Sequence, residues 1–376
     1  MPGASGVREM DIDPQAAAVQ AARQSLQTLL TSGHSPGVQY LFMHGQQAWL
    51  SFQAGLADPG TGQVLQASHR FNLHSATQLW TAAAVLRCVQ TGLMALDEPL
   101  QTYLPGHAEL GTATVRQAML HTAGFANPNP LAWIHLGRDS FDPYKVAEAL
   151  LVEHGRPVRS PGGAYRYSNI GHLWLGQVLR AVTRQSLPDY LQAQGLLGGE
   201  ALAGGHLSFE RPDPPQHARG TLPRWGWLNP VLAWMLDRDR FVAGVSGSWV
   251  RLEHHQADAQ ACNGLIGNAA GVAASLQGLL GRKGLASSGC LSGLFDSVPM
   301  VGPARGLGGF TGWLEGQHWC GHAGGGVGHY SEWRVYPRLQ AVSVLLLNRA
   351  GLRDEGLLTR IDKPLVAALG RQLAQG

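Results

Sequence analysis

The stretch Phe71-Asn72-Leu73-His74-Ser75-Ala76-Thr77-Gln78 runs into an apolar helical pattern over 79–96, and its reading decides the fold. A serine at the first turn of a helix sits at the positive end of the helix dipole, which favours a developing oxyanion by about 1 kcal/mol. The residue three positions on shares its helical face and can exchange a hydrogen bond or a proton with the seryl hydroxyl. Here that residue is Gln78, whose amide carries donors and an acceptor but no titratable nitrogen. Ser75 is thus a candidate nucleophile whose partner can position it but cannot remove its proton. Ser-x-x-Gln alone is also a plain helix start with an N-cap serine, so the flanking segments decide.

Upstream, 14–31 carries Ala, Val and Leu at helical spacing before Gly33, Pro36 and Gly37 break it. Runs 38–43 and 48–52 flank His44-Gly45-Gln46-Gln47 and predict a hairpin. Far downstream, 307–313, 317–321, 328–335 and 339–347 read as strands, and 355–373 as a last helix. The pattern predicts an α+β fold: an antiparallel sheet with N- and C-terminal helices, assembled from 1–75 and 263–376, with a mostly helical domain, 76–262, inserted. Within that insertion 225–236 holds three of the eleven tryptophans, in a Trp-rich segment extending to about 249. Such a segment suits a lid over an apolar substrate, a subunit contact or ordinary core packing.

Composition excludes several functions. Twenty-eight basic against 25 acidic residues leave a net charge of +3 without a basic run, which argues against nucleic-acid binding. The start, MPGASGVREMDID, lacks the pattern of a secretory signal, and no apolar stretch reaches the ~20 residues of a membrane span, so a soluble cytoplasmic protein is expected. Cys88, Cys262, Cys290 and Cys320 lie far apart and read as buried free thiols. Glu253-His254-His255 clusters ligand types, but adjacent histidines point apart and no third ligand stands at a recognised spacing, so no metal and no cofactor is expected. Gly324-Gly325-Gly326 lacks the Gly-Lys-Ser/Thr of a phosphate loop.

Further segments extend the pattern around Ser75: Gly92-Leu93-Met94-Ala95-Leu96-Asp97-Glu98-Pro99-Leu100, Thr114 to Gly124 with His121-Thr122-Ala123-Gly124, Tyr167-Ser168-Asn169, Ala270-Gly271-Val272 and His322-Ala323-Gly324-Gly325. In this order they resemble the β-lactamase-related serine hydrolases, a family that includes class C β-lactamases, penicillin-binding DD-peptidases and family VIII esterases. The resemblance implies the β-lactamase/penicillin-binding-protein fold. It also implies Ser75 as nucleophile, Tyr167 as the remaining base, Asn169 as an orienting group, and His322 beside the leaving group. By the same resemblance the backbone N–H groups of Ser75 and Gly325 form an oxyanion hole, and Ala323, Gly324 and Gly325 line the substrate.

The departure from that family is at Gln78, where Ser-x-x-Lys places its lysine. Only Lys145, Lys283 and Lys363 occur, none three residues after a serine, so no displaced motif exists. Ala323 also lacks the hydroxyl of a Lys-Thr-Gly strand, which disfavours penicillin-like recognition. His322 is the histidine best placed to substitute as base, because a neutral imidazole can accept a proton. His74 should point elsewhere, and His121 lies in a structural turn. Three functions follow: an esterase or amidase with impaired or altered acyl transfer, an inactive pseudo-hydrolase that binds a ligand, or a non-hydrolytic enzyme of secondary metabolism reusing the cleft. The partner expected is a small acyl, ester or amide ligand, and a homo-oligomer is compatible with the sequence.

Overall fold

A computed structural model of the chain describes residues 13–128, 130–198, 204–225, 237–281, 292–295, 297–298, 305–351 and 356–375. Helix α1 (Pro14–Thr31) starts where the Asp13 carboxylate accepts from the Gln15 N–H and Pro14 presets the first helical φ. It leads into β1 (Gly37–His44), β2 (Gln47–Asp58) and β3 (Gln63–Val64). The helices that follow include α2 (Gln78–Gln90), α3 (Val115–Met119), α4 (Pro143–His154), α5 (Asn169–Thr183), α6 (Leu187–Ala193) and α7 (Ala269–Gly281). The chain then returns to the sheet through β4 (Arg305–Gly306), β5 (Gly309–Leu314), β6 (Gln317–Gly325), β7 (Tyr330–Tyr336) and β8 (Ala341–Leu347), and ends in α8 (Leu357–Gln375).

One eight-stranded antiparallel sheet results, in the order β4-β5-β6-β7-β8-β1-β2-β3. Its seam joins the two ends of the chain: Val38 pairs with Leu347 and Leu41 with Val344. Both faces are covered, which is why Ala341-Val342-Ser343-Val344-Leu345-Leu346-Leu347 is buried throughout and reads as a continuous apolar run. On one face Tyr40, Phe42, Leu345 and Leu347 pack with Leu26 of α1 and Ile361 and Leu365 of α8. On the other, Leu41, Trp333, Val342 and Val344 pack with Trp80 of α2, Leu173 of α5 and Val272 of α7. Candidate chemistry lies on this second face.

Several boundaries differ from the sequence reading. The helix expected over 79–96 stops at Gln90, because Gly92 takes φ +74° and the Leu93 and Gly92 N–H groups close onto the Cys88 and Val89 carbonyls. The insertion is helical as far as Ala193, but between Leu207 and Gly267 the described residues form mainly short strands. Of the tryptophan-rich segment, 226–236 lies outside the described residues; Trp225 is exposed beneath Arg224, and Trp249 starts a strand. Cys88, Cys262 and Cys320 are buried and form no disulfide, while Cys290 lies outside the described residues. No helix of the described residues is long and apolar enough to cross a membrane.

Candidate active site

Ser75 sits in a 3-10 turn, His74–Thr77, that runs directly into α2. The turn is anchored from below: the Leu73 N–H donates to Leu265 O at 2.9 Å, and Ser331 Oγ of β7 donates to Leu73 O at 2.7 Å. His74 takes φ +49°, a left-handed conformation that costs a non-glycine residue about 1–2 kcal/mol. Its ring is buried against Gly326 and His329, so the residue before the nucleophile turns away from it. Gly324 and Gly326 are required at the end of β6: a β-carbon on Gly324 would collide with the Leu73 carbonyl, and one on Gly326 with the His74 imidazole. The glycines therefore let β6 close over the nucleophile turn.

One helical turn beyond Ser75, Gln78 is only 2% exposed. Its Nε2 donates to the Tyr167 hydroxyl at 2.5 Å and to Asn169 Oδ1 at 3.1 Å, and Tyr167 donates to the same Oδ1 at 3.0 Å. The Ser75 side chain lies near the Tyr167 hydroxyl. Burial holds the Tyr167 phenol well above its usual pKa, and its contacts with Ser75 and Gln78 only partly oppose it. The phenol therefore stays protonated at neutral pH. Gln78 Oε1 is buried and meets no donor among the described residues.

The loop carrying Tyr167 is fixed by the His121 turn. His121, at φ +57°, accepts the Ser168 N–H on Nδ1 at 3.1 Å, and Ser168 Oγ donates to Ala126 O at 2.6 Å. Asn127 Oδ1 takes the Asn169 N–H at 3.0 Å, orienting the asparagine toward Gln78.

Thus Gln78, Tyr167 and Asn169 form one hydrogen-bonded group, with Ser75 beside Tyr167. His322 stands apart from it: its Nδ1 donates to Ala323 O at 2.8 Å, its ring lies beside Phe310 and Trp333, and its Nε2 is buried without a partner among the described residues. Burial and the Arg305 guanidinium push its pKa down to about 3, which leaves it neutral and a poor proton acceptor. Gly324 packs on the nucleophile turn and Gly325 is exposed at the strand end. Ala323 turns its methyl to the opposite face, where it packs with the terminal-helix core, so only its backbone can meet a ligand in the cleft.

Sequence reasoning missed Arg305. It is 1% exposed, its Nη2 donates to the Tyr165 hydroxyl, and its Cζ lies 4.2 Å from the Tyr165 ring centroid and 3.9 Å from that of Phe310. Its charge depresses His121, His172 and His322 alike. No carboxylate of the described residues pairs with it, and its Nε has no acceptor among them. Only Tyr165, two residues before Tyr167 and therefore on the same side of an extended segment, could have hinted at a wall here.

A family model described as Beta-lactamase matches residues 22–366. "Penicillin-binding protein 4" of Amycolatopsis lactamdurans is 25% identical over 341 residues, covering 87% of this chain and 84% of that protein. Among solved structures, D-amino acid amidase from Ochrobactrum anthropi SV3, complexed with D-phenylalanine, superposes with a TM-score of 0.74 at 19% identity, over 96% of this chain and 100% of that one. EstCE1, described as a hydrolase with promiscuous acyltransferase activity, gives 0.70 at 19% identity over 94% and 99%. These structural likenesses show the fold: a mixed α/β architecture around a large antiparallel sheet.

Proposed function

The chain belongs to the Beta-lactamase family, and from that premise we propose that Ser75 is the nucleophile of a serine esterase or amidase whose acyl transfer is slowed because Gln78 stands where a base is needed. The observation that supports this reading is the hydrogen-bonded Gln78–Tyr167–Asn169 group with Ser75 beside Tyr167, in which a neutral amide stands one helical turn from the seryl hydroxyl. In this reading the cleft lies between the sheet unit expected over 1–75 with 263–376 and the mostly helical unit expected over 76–262.

As Ser75 Oγ attacks an acyl carbon, its proton must leave, and neither the protonated Tyr167 nor Gln78 can hold it. The proton passes to solvent, and the leaving group departs with its own electron pair. Donors whose leaving group is stable as an anion, such as nitrophenolate, therefore react, whereas plain amides react slowly. Backbone N–H groups of Ser75 and Gly325 receive the oxyanion.

Intact-protein mass spectrometry after incubation with a fluorophosphonate and a nitrophenyl ester tests the nucleophile. The wild type gains the mass of one adduct and Ser75→Ala gains none. A folded wild type that stays unlabelled supports the second reading, ligand binding without turnover, which the uncharged Gln78 partner and protonated Tyr167 favour.

Arg305 gives the cleft a preference for acyl groups bearing a carboxylate, since a buried guanidinium without a carboxylate partner gains most from an incoming anion. Arg305→Met is expected to lower kcat/KM for a nitrophenyl hemisuccinate about 10- to 100-fold, the worth of one charge-assisted hydrogen bond, while changing nitrophenyl acetate little. Equal losses on both esters would mean that Arg305 only supports the fold of the cleft.

A further inference from the structure

Behind the sheet, on the face turned away from Ser75, a cavity of about 520 Å³ opens beside β5, β6, β7 and α8. Strand alternation determines what faces it. Ala323 pairs with Glu332 and Gly321 with Arg334, whereas Ser331, one residue before Glu332, reaches Leu73 on the cleft side. Trp319 and Tyr330 supply aromatic walls and Thr359 lines the cavity from α8, while Phe310, His322 and Trp333 border it where the sheet turns toward the Arg305 side. Gly321 leaves space between the polar and aromatic parts, since a β-carbon there would come within 3.0 Å of Arg334 Cγ and 3.4 Å of Trp319 Cε3.

Arg334 is 3% exposed and stacks on Trp319, with Cζ 4.2 Å from the ring centroid. Its Nη2 donates to Glu332 Oε1 at 3.2 Å, but Nε and Nη1 have no acceptor among the described residues. The neighbouring acceptors are committed elsewhere. Asp362 receives the hydroxyls of Tyr40, Tyr336 and Ser343 at 2.6–2.7 Å, and Glu332 Oε2 receives that of Tyr330 at 2.8 Å. Two carboxyls act on the Arg334 charge, Glu332, which burial pushes up to about 7, and Asp362, also raised by burial, but neither accepts from Nε or Nη1. A buried guanidinium with unused donors beside an open, aromatic-walled cavity has the chemistry of an anion site, and the volume is in the usual range for small-molecule pockets.

We propose that this cavity is a second ligand site, separate from the Ser75 cleft, that takes a small aromatic carboxylate with its ring against Trp319 and its carboxylate on Arg334. The site does not depend on whether Ser75 is nucleophilic. Phenylacetate is a suitable probe, titrated calorimetrically into the full chain. Binding is expected to the wild type and, within about twofold, to Arg305→Met, and to weaken at least about tenfold in Arg334→Met and for the neutral probe phenylacetamide, as loss of a charged contact requires. Thr359→Trp fills the cavity from α8 without touching the buried charges, and is expected to weaken phenylacetate to the same degree. It decides the matter if Arg334→Met does not fold. Binding that survives Thr359→Trp but disappears in Arg305→Met assigns the probe to the Ser75 cleft and overturns the proposal, as does an absence of wild-type binding up to about 10 mM, beyond the weak end of specific affinity.

Discussion

Replacing Gln78 by lysine is expected to raise kcat/KM for a nitrophenyl ester by about 10²- to 10⁴-fold, the usual worth of positioned acid–base help, or roughly 3 to 5 kcal/mol of barrier. The receiving geometry is already present. Gln78 Nε2 lies 2.5 Å from the Tyr167 hydroxyl and 3.1 Å from Asn169 Oδ1, two oxygens that can hold an ammonium as well as an amide. A cation there acts on both members of the pair. It lowers the pKa of Tyr167, by one to three units for a charge at such distance, and in its neutral form it can itself accept the seryl proton. Because the site is buried, desolvation brings the lysine pKa down toward neutrality, which is where a general base works best. Gln78→Met is the control, removing the amide without adding a base, and should give no gain. A folded Gln78→Lys protein no faster than wild type would mean that the cleft has diverged beyond its missing base.

The fold was legible because its signals are local and physical. Gly45, at φ +53°, marks the β1–β2 hairpin, and the apolar runs of β1 and β8 mark strands buried on both faces. What pairs them, 300 residues apart, is not visible in any one segment; the seam became readable only through the ordered resemblance of many short motifs. The proximity of the candidate residues was legible in part for the same reason. Ser75, Gln78, Tyr167 and Asn169 belong to motifs with fixed spacing, and the structure joins the last three by hydrogen bonds and sets Ser75 beside Tyr167. Arg305 and Arg334 belong to no motif. Each is defined by burial and by the acceptors it lacks, and these are properties of packing that spacing does not encode. Ala323 illustrates the converse: its place in a motif suggested a ligand contact, but the two-residue period of β6 turns its side chain to the far face.

Acid is expected to unfold this chain early, because its histidines are buried neutral. Sixteen histidines occur, and eight of them form two groups in the interior. His121, His172 and His322 stand around Arg305. His74, His217, His254, His255 and His329 lie ring to ring beneath the nucleophile turn, with His217 and His329 centroids 5.3 Å apart. Burial, then neighbouring charge, lowers His74, His172 and His322 to about 3 and holds His121, His217 and His329 well below their usual value. The sign follows from proton uptake. Below about pH 6.5 the unfolded chain binds protons that the folded chain refuses, so stability falls as pH falls. Between pH 7 and 5 each such histidine removes about 2 kcal/mol. Asp258, Glu332 and Asp362 act in the opposite sense, since burial raises the first two to about 6 and about 7 and the third above its usual value, and the folded state takes up their protons first, but they are three carboxyls against six imidazoles. The loss is comparable to the whole stability of an ordinary domain, and urea midpoints should drop steeply between pH 6.5 and 5. His217→Phe isolates one contribution. Both ring nitrogens of His217 are buried without partners among the described residues, so phenylalanine removes a titrating group and two unmet polar atoms at little packing cost. The variant should match or exceed wild-type stability at pH 7.5 and recover about 2 kcal/mol of the acid-induced loss by pH 5. Parallel wild-type and His217→Phe curves would mean that His217 gains its proton in the folded protein as readily as in the unfolded one.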